Sequence, residues 1–353
     1  MVLVGKVAVI LGVIIMIFTI YLFTSTSYFD STTTWEAYDS PEDAGWSIDK
    51  LDEAKEYYDS LNSTAAIAIY DGKVLFSWGN VSKNSNAHSV RKSFLSSLYG
   101  IQEGHGNIDI DHTLHELNID DQPRLSITEK NATIRDLLTS SSGVFHRAGE
   151  ESWGMMRNRP TRGSHEPGAF FYYNNWDFNV LGTIYNNKTN NDLFLQFKEQ
   201  IADPIGMEDF DLSNTEYRTE VRRSIHPSYL FQVSARDMAR FGQLYLQEGN
   251  WDGEQIIPKD WIESSTTPQV NVLSNDVFDY GYMWWVATSG PFKDLGLYSA
   301  VGRYGQSIDI IPELNLVFVH RVDSNRRLFQ LFPRGVNQEQ RLRLLNMIIE
   351  AKK

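Results

Sequence analysis

Cysteine is missing from all 353 residues. That excludes disulfides, thiolate metal sites, a cysteine nucleophile and a lipid-bearing cysteine. Positive charge is scarce: 32 Lys and Arg against 45 Asp and Glu give a net charge of −13. So acidic a surface repels phosphate backbones, and no nucleic-acid partner is expected. Gly-x-Ser-x-Gly does not occur, which removes the main support for an α/β-hydrolase. His-Glu-x-x-His and a glycine-rich phosphate loop are absent too, and neither metal nor cofactor is expected.

What is present is an ordinary globular composition, 42% hydrophobic and 22% charged, enough to bury a sizeable core. Lys6 precedes an uncharged apolar run from Val7 to Phe23, and acidic Asp30, Glu36, Asp39, Glu42 and Asp43 follow. As a helix that run spans roughly 25 Å, the short end of a membrane span. The charge asymmetry puts the remainder outside the cytoplasm. Residues 1–24 are therefore expected to be a membrane anchor; cleavage as a signal segment would release the same body as a secreted protein. Polar residues 25–45 read as a linker, and residues 46–353 as the functional domain.

Within that domain, apolar Leu51, Ala54, Tyr58 and Leu61 recur at helical spacing, with Ser47 as N-cap. Two apolar runs at 65–70 and 73–78 flank Asp71-Gly72, a hairpin signal. Helices are expected from Ser89 to about Gln102, at 133–139, 190–201 and 235–248, and finally at 337–351. Residues 307–311 and 316–321 form a second hairpin around Pro312–Asn315. The fold class predicted is α/β (α+β). N- and C-terminal hairpins share an antiparallel sheet flanked by helices, the terminal helices cover one face, and a mainly helical lobe is inserted at roughly 103–230. A cleft at the junction is the natural ligand site.

A serine hydroxyl needs a base before it attacks. Ser-x-x-Lys places both groups on one helix face, and burial frees the lysine amine to take a proton. The motif occurs twice, at Ser47–Lys50 and Ser89–Lys92. Helix capping accounts for the first. The second opens a helix of small and apolar residues, whose N-terminus offers backbone N–H groups to an oxyanion. Tyr173-Asn174-Asn175 lies in an aromatic loop; a phenol beside an ammonium ionises more easily, and the Asn175 amide can orient Lys92 or a substrate carbonyl. Ala300-Val301-Gly302-Arg303 stands just before the second hairpin, its glycine allowing close approach. His105, Asp109, Asp111, His112 and His115 are spaced like metal ligands but read as a structural connection. Tyr280-Gly281-Tyr282-Met283-Trp284-Trp285 reads as core or cleft wall.

These three elements, in this order and followed by a strand pair, resemble the serine β-lactamase and penicillin-binding-protein superfamily. The resemblance is to the branch related to class C β-lactamases, which includes esterases, D-aminopeptidases and 6-aminohexanoate-dimer hydrolases. Supporting stretches run from Ser40 to Gly45, Thr133 to Val144 and Ser234 to Gly242. The resemblance implies Ser89 as nucleophile, Lys92 as its proton partner and Tyr173 as general base. It implies Asn175 as a substrate-positioning residue, Gly302 as the close-approach position, and the backbone N–H groups of Ser89 and Arg303 as the oxyanion hole. Ala300 departs from the family pattern, which has lysine or histidine there. Hydrolysis of a small ester, amide or peptide-like substrate through an acyl-enzyme is therefore expected ahead of a D-amino-acid peptidase or penicillin-recognising cell-wall enzyme. An anchored binding protein without turnover is the reading from another class.

Overall fold

A computed structural model describes residues 34–326, 331 and 334–353. The expected anchor at 1–24 lies outside the described residues. Among the described residues no helix is long and apolar enough to cross a membrane.

Seven strands form the main sheet: β1 (Ala65–Tyr70), β2 (Lys73–Gly79), β3 (Phe278–Tyr280), β4 (Trp285–Ala287), β5 (Tyr298–Gly302), β6 (Gln306–Ile311) and β7 (Leu316–Arg321). Their order is β2-β1-β7-β6-β5-β4-β3, antiparallel throughout. The N-terminal hairpin thus joins the C-terminal one through β1 and β7, with Ala65 opposite Arg321 and Tyr70 opposite Leu316.

Strand alternation sorts the side chains between two cores. Ala66 and Ala68 of β1 face Leu51 and Ala54 of α1 (Ile48–Ser60), with Leu344, Leu345 and Ile348 from the C-terminal helix Gln338–Glu350. The terminal helices therefore share one face, as the sequence predicts. Ile67 and Ile69 turn the other way, into the larger core. That core contains α2 (Arg91–Gly104), α3 (Asn175–Thr189) and α4 (Ala235–Leu246). α4 lies so close to the sheet that a Cβ on Gly242 would come 2.5 Å from Val317.

The inserted lobe carries α3, several short helices and the strand pair Thr215–Arg218 with Ser228–Val233, to which Ser85–Asn86 adds a third strand. Residues 34–45, the described part of the expected linker, differ from that reading: they are docked. Trp35 donates to the Gly72 carbonyl at 2.8 Å, Ala37 bridges Val74, and Pro41–Ala44 forms a capped 3₁₀ turn. Trp35 and Pro41 supply apolar surface, which the polar count around them obscures.

Candidate active site

The two Ser-x-x-Lys motifs part company in the structure. Ser47 caps α1 and Lys50 reaches the Glu350 carbonyl on the C-terminal helix. Ser89 sits in a 3₁₀ turn, His88–Val90, that feeds directly into α2. All of α2 from Arg91 to Gln102 is buried. Its hydroxyls are satisfied internally: Ser93 and Ser96 donate to the carbonyls of Met283 and Tyr282 at 2.8 and 2.7 Å. Those bonds fix the helix that carries Lys92.

The Tyr173 loop is set by a different part of the lobe. The Asn174 side chain caps α3 and donates to the Val144 carbonyl at 2.7 Å, while its backbone N–H donates to Ser140 Oγ. Ser142 donates to the Asp177 carboxylate at 2.6 Å. Residues 140–144 thus hold the entry to α3, and with it the direction of Tyr173 and Asn175.

These supports bring three distant stretches together. Lys92 Nζ lies 3.0 Å from Ser89 Oγ, 2.7 Å from the Tyr173 hydroxyl and 2.9 Å from Asn175 Oδ1. The Asn175 amide nitrogen donates to the carbonyls of Glu150 and Gly149, at 2.7 and 3.3 Å, which assigns its oxygen to Lys92. Tyr173 is stacked on Trp285 and set edge-on against Tyr280. Gly302 is extended, and its need for a bare backbone is steric: a Cβ would come 2.6 Å from the Ala87 carbonyl and 3.1 Å from Ser89 N. The end of β5 therefore lies against the serine turn. Two non-glycine residues flank this junction in the left-handed region, His88 at φ 49° and Tyr304 at φ 72°. Such strain gathers where a site is held in one geometry.

Burial sets the protonation states. It drives the Lys92 ammonium well below the ordinary lysine range, with the Arg91 charge adding to the effect. The same burial pushes the Tyr173 phenol up to about 12, although Ser89, Arg91 and Tyr280 pull it back. Both shifts run against the phenolate and ammonium that the sequence leads one to expect. Burial thus disfavours both charged forms, because removing charge from water is costly. A neutral amine has two donors and one lone pair. One donor is committed to Asn175, so the lone pair is available to a hydroxyl proton from Ser89 or Tyr173.

Ser89, Tyr173, Asn175, Gly302 and Arg303 all line one cavity of about 440 Å³; Lys92 lies beneath it. Ala300 points into the larger core instead, so no cation enters the cleft from that position. The cavity wall also includes His88, Arg91, Glu150 and Met155, which the sequence did not single out. Arg91 was in plain view between Ser89 and Lys92, but nothing in the motif marks it. The metal-like spacing resolves in part into an ion pair, with Asp111 Oδ1 2.8 Å from Arg135 Nε.

The sequence model of the Beta-lactamase family matches residues 52–328. An uncharacterized protein of Alkalihalophilus pseudofirmus is 24% identical over 282 residues, covering 70% of this chain and 79% of that one. Among solved structures, one described as a 6-aminohexanoate-dimer hydrolase from Bacillus anthracis superposes with TM-score 0.63 at 22% identity, over 84% of this chain and 80% of its own. A class C β-lactamase gives TM-score 0.64 at 11% identity, covering 86% and 96%. A penicillin-binding protein from Bacillus halodurans gives 0.61 at 15%, covering 83% and 99%.

Proposed function

The chain belongs to the beta-lactamase family, and on that footing we propose that it is a serine hydrolase cleaving a small ester or amide through an acyl-enzyme on Ser89. One observation carries the reading. The buried Lys92 Nζ, its charged form disfavoured by burial, is within hydrogen-bonding distance of a serine hydroxyl and a tyrosine hydroxyl at once.

In this mechanism Lys92 takes the Ser89 proton as Oγ attacks the carbonyl carbon. The tetrahedral oxyanion is received by the backbone N–H groups of Ser89 and Arg303, at the junction that Gly302 keeps narrow. Tyr173 gives its proton to the leaving group and is reprotonated by Lys92, so the proton taken from serine is accounted for. Water then attacks the ester on Ser89 by the same route in reverse. Tyr173 is thus a relay, and Lys92 the resting base. A cavity of about 440 Å³ suits a small acyl group. The alanine at position 300 argues against β-lactam and cell-wall peptide substrates, which the family engages with a cation there. We place the enzyme outside the cytoplasm, on the charge asymmetry around residues 7–23.

The test is covalent labelling with a fluorophosphonate, followed by a panel of activated esters and amides of graded acyl length. The wild-type protein should label and turn over the short members. Equal, weak labelling of wild type and Ser89→Ala would end the proposal. Stable capture of labelled penicillin would move the substrate class to cell-wall chemistry.

A further inference from the structure

Two neighbouring basic side chains lie at the floor of the cavity, and the reaction accounts for only one. Arg91 is 3% exposed and Lys92 1%. Arg91 Nη1 donates to the His88 carbonyl at 3.2 Å, and the guanidinium carbon lies 5.1 Å from the centre of the Tyr229 ring. Its Nε and Nη2 find no hydrogen-bond partner among the described residues. No carboxylate pairs with it there, and the three partners of Lys92 are all neutral groups.

Burying one unpaired charge costs several kcal/mol, and a second beside it raises the cost of both. The two side chains do not share that burden equally. A guanidinium keeps its proton in proteins, whereas a buried ammonium gives its proton up.

The carboxylate on the same cavity wall, Glu150, is engaged by Arg218 at 2.7 Å and not by Arg91. The 3₁₀ turn contributes His88, whose imidazole is pushed down to about 3 by burial and by Arg321, Arg91 and Arg303. Tyr173, Tyr229 and Tyr280 face the pair from the α3 loop, strand Ser228–Val233 and β3, and burial raises all three phenols. Asp177 on α3 is a further carboxyl, and burial raises it well above the carboxylate range. Arg303, at the cavity rim, adds positive charge.

We propose that Arg91 is a positioning residue with two effects: its uncompensated charge, added to the burial around Lys92, disfavours a second charge beside it, and its bond to His88 fixes the turn presenting Ser89. The second effect is structural; the first gives the residue a role in the chemistry. This rests on the proposed function to the extent that Lys92 is the base for Ser89.

The experiment uses the full chain as wild type, Arg91→Gln, Arg91→Lys and Ser89→Ala, with near-UV circular dichroism to check folding. Lysines carrying ¹³C at Cε report the titration of Lys92 directly, its signal assigned by loss in Lys92→Arg. The pH dependence of fluorophosphonate labelling reports the acidic limb of Ser89 reactivity. Lys92 should be neutral at pH 7 in the wild type. In Arg91→Gln both its titration and the acidic limb should rise by about one pH unit or more, because a like charge has gone. Arg91→Lys, whose buried ammonium can itself give up its proton, should move both in the same direction but by less than Arg91→Gln. Ordinary lysine titration of Lys92 in the wild type, or unmoved titrations in Arg91→Gln, would overturn the proposal. So would equal rate losses in both variants with no shift, which would leave Arg91 only as a brace for the turn. Should Ser89→Ala label as well as wild type, the hydrolase reading fails, while the lysine titration still decides the role of Arg91.

Discussion

The Asn175 side chain cannot turn over beneath Lys92. Its oxygen accepts from Nζ at 2.9 Å while its nitrogen is tied to the carbonyls of Gly149 and Glu150. A flipped amide would put N–H against amine and oxygen against two carbonyls. Asn175 therefore fixes which direction the lysine lone pair faces.

Replacing Asn175 tests that orientation through charge. Asn175→Ala should lower kcat about 10- to 100-fold by loosening Lys92. Asn175→Asp should lower activity near neutral pH further. A carboxylate there favours the ammonium, so the Lys92 titration and the acidic limb should rise together. A pH–rate profile for both variants checks the order.

Tyr173→Phe removes the relay but keeps the ring that packs on Trp285. The variant should melt within a few degrees of wild type, with turnover of poor leaving groups down about 10²- to 10⁴-fold. Activated esters, whose leaving groups need no proton, should lose much less. Because the phenol titrates only near 12, wild-type activity should show no alkaline limb from this group below about pH 10.

Gly302→Ala places a methyl against the backbone of Ala87 and Ser89, neither of which is the free end of a flexible chain. The turn or β5 must shift. The expected result is a loss of about 1–3 kcal/mol of stability and a larger loss of acylation rate, read by urea melts and burst kinetics.

His320 gives the protein an acid-sensitive side. It is fully buried on β7, with Nδ1 2.6 Å from the Gly305 carbonyl and Nε2 2.7 Å from Ser63 Oγ. The carbonyl requires Nδ1–H, so in the neutral ring Nε2 accepts from serine. Burial lowers its pKa from 6.5 to about 4. The folded value is depressed, so this contribution is intact above about pH 6.5 and is lost as pH falls toward about 4. The loss is on the order of 3 kcal/mol. His88 acts in the same sense. The measurement is therefore the difference between wild type and His320→Leu. The variant should be less stable at pH 7 and lose less on acidification.

Much of this architecture was legible in residue order. Asp71-Gly72 and Pro312–Asn315 announce hairpins because their turn chemistry is local, and the α1 and C-terminal helix faces follow from spacing. The meeting of positions 89, 92, 173 and 302 was reachable only through resemblance, since their convergence depends on how the lobe folds back. Two things stayed hidden for physical reasons. The docking of residues 34–45 rests on a few apolar contacts within a polar stretch. The protonation of Tyr173 depends on burial, which no spacing records.

The pairing of β1 with β7 has a consequence for synthesis. The strand ending at Tyr70 waits for a partner that leaves the ribosome some 250 residues later, at Leu316–Arg321. Until then one edge of the N-terminal hairpin is open to any extended segment. Such late closure makes for slow folding. Truncation before Leu316 removes the one strand that joins the N-terminal hairpin to the other four, leaving the sheet in two parts.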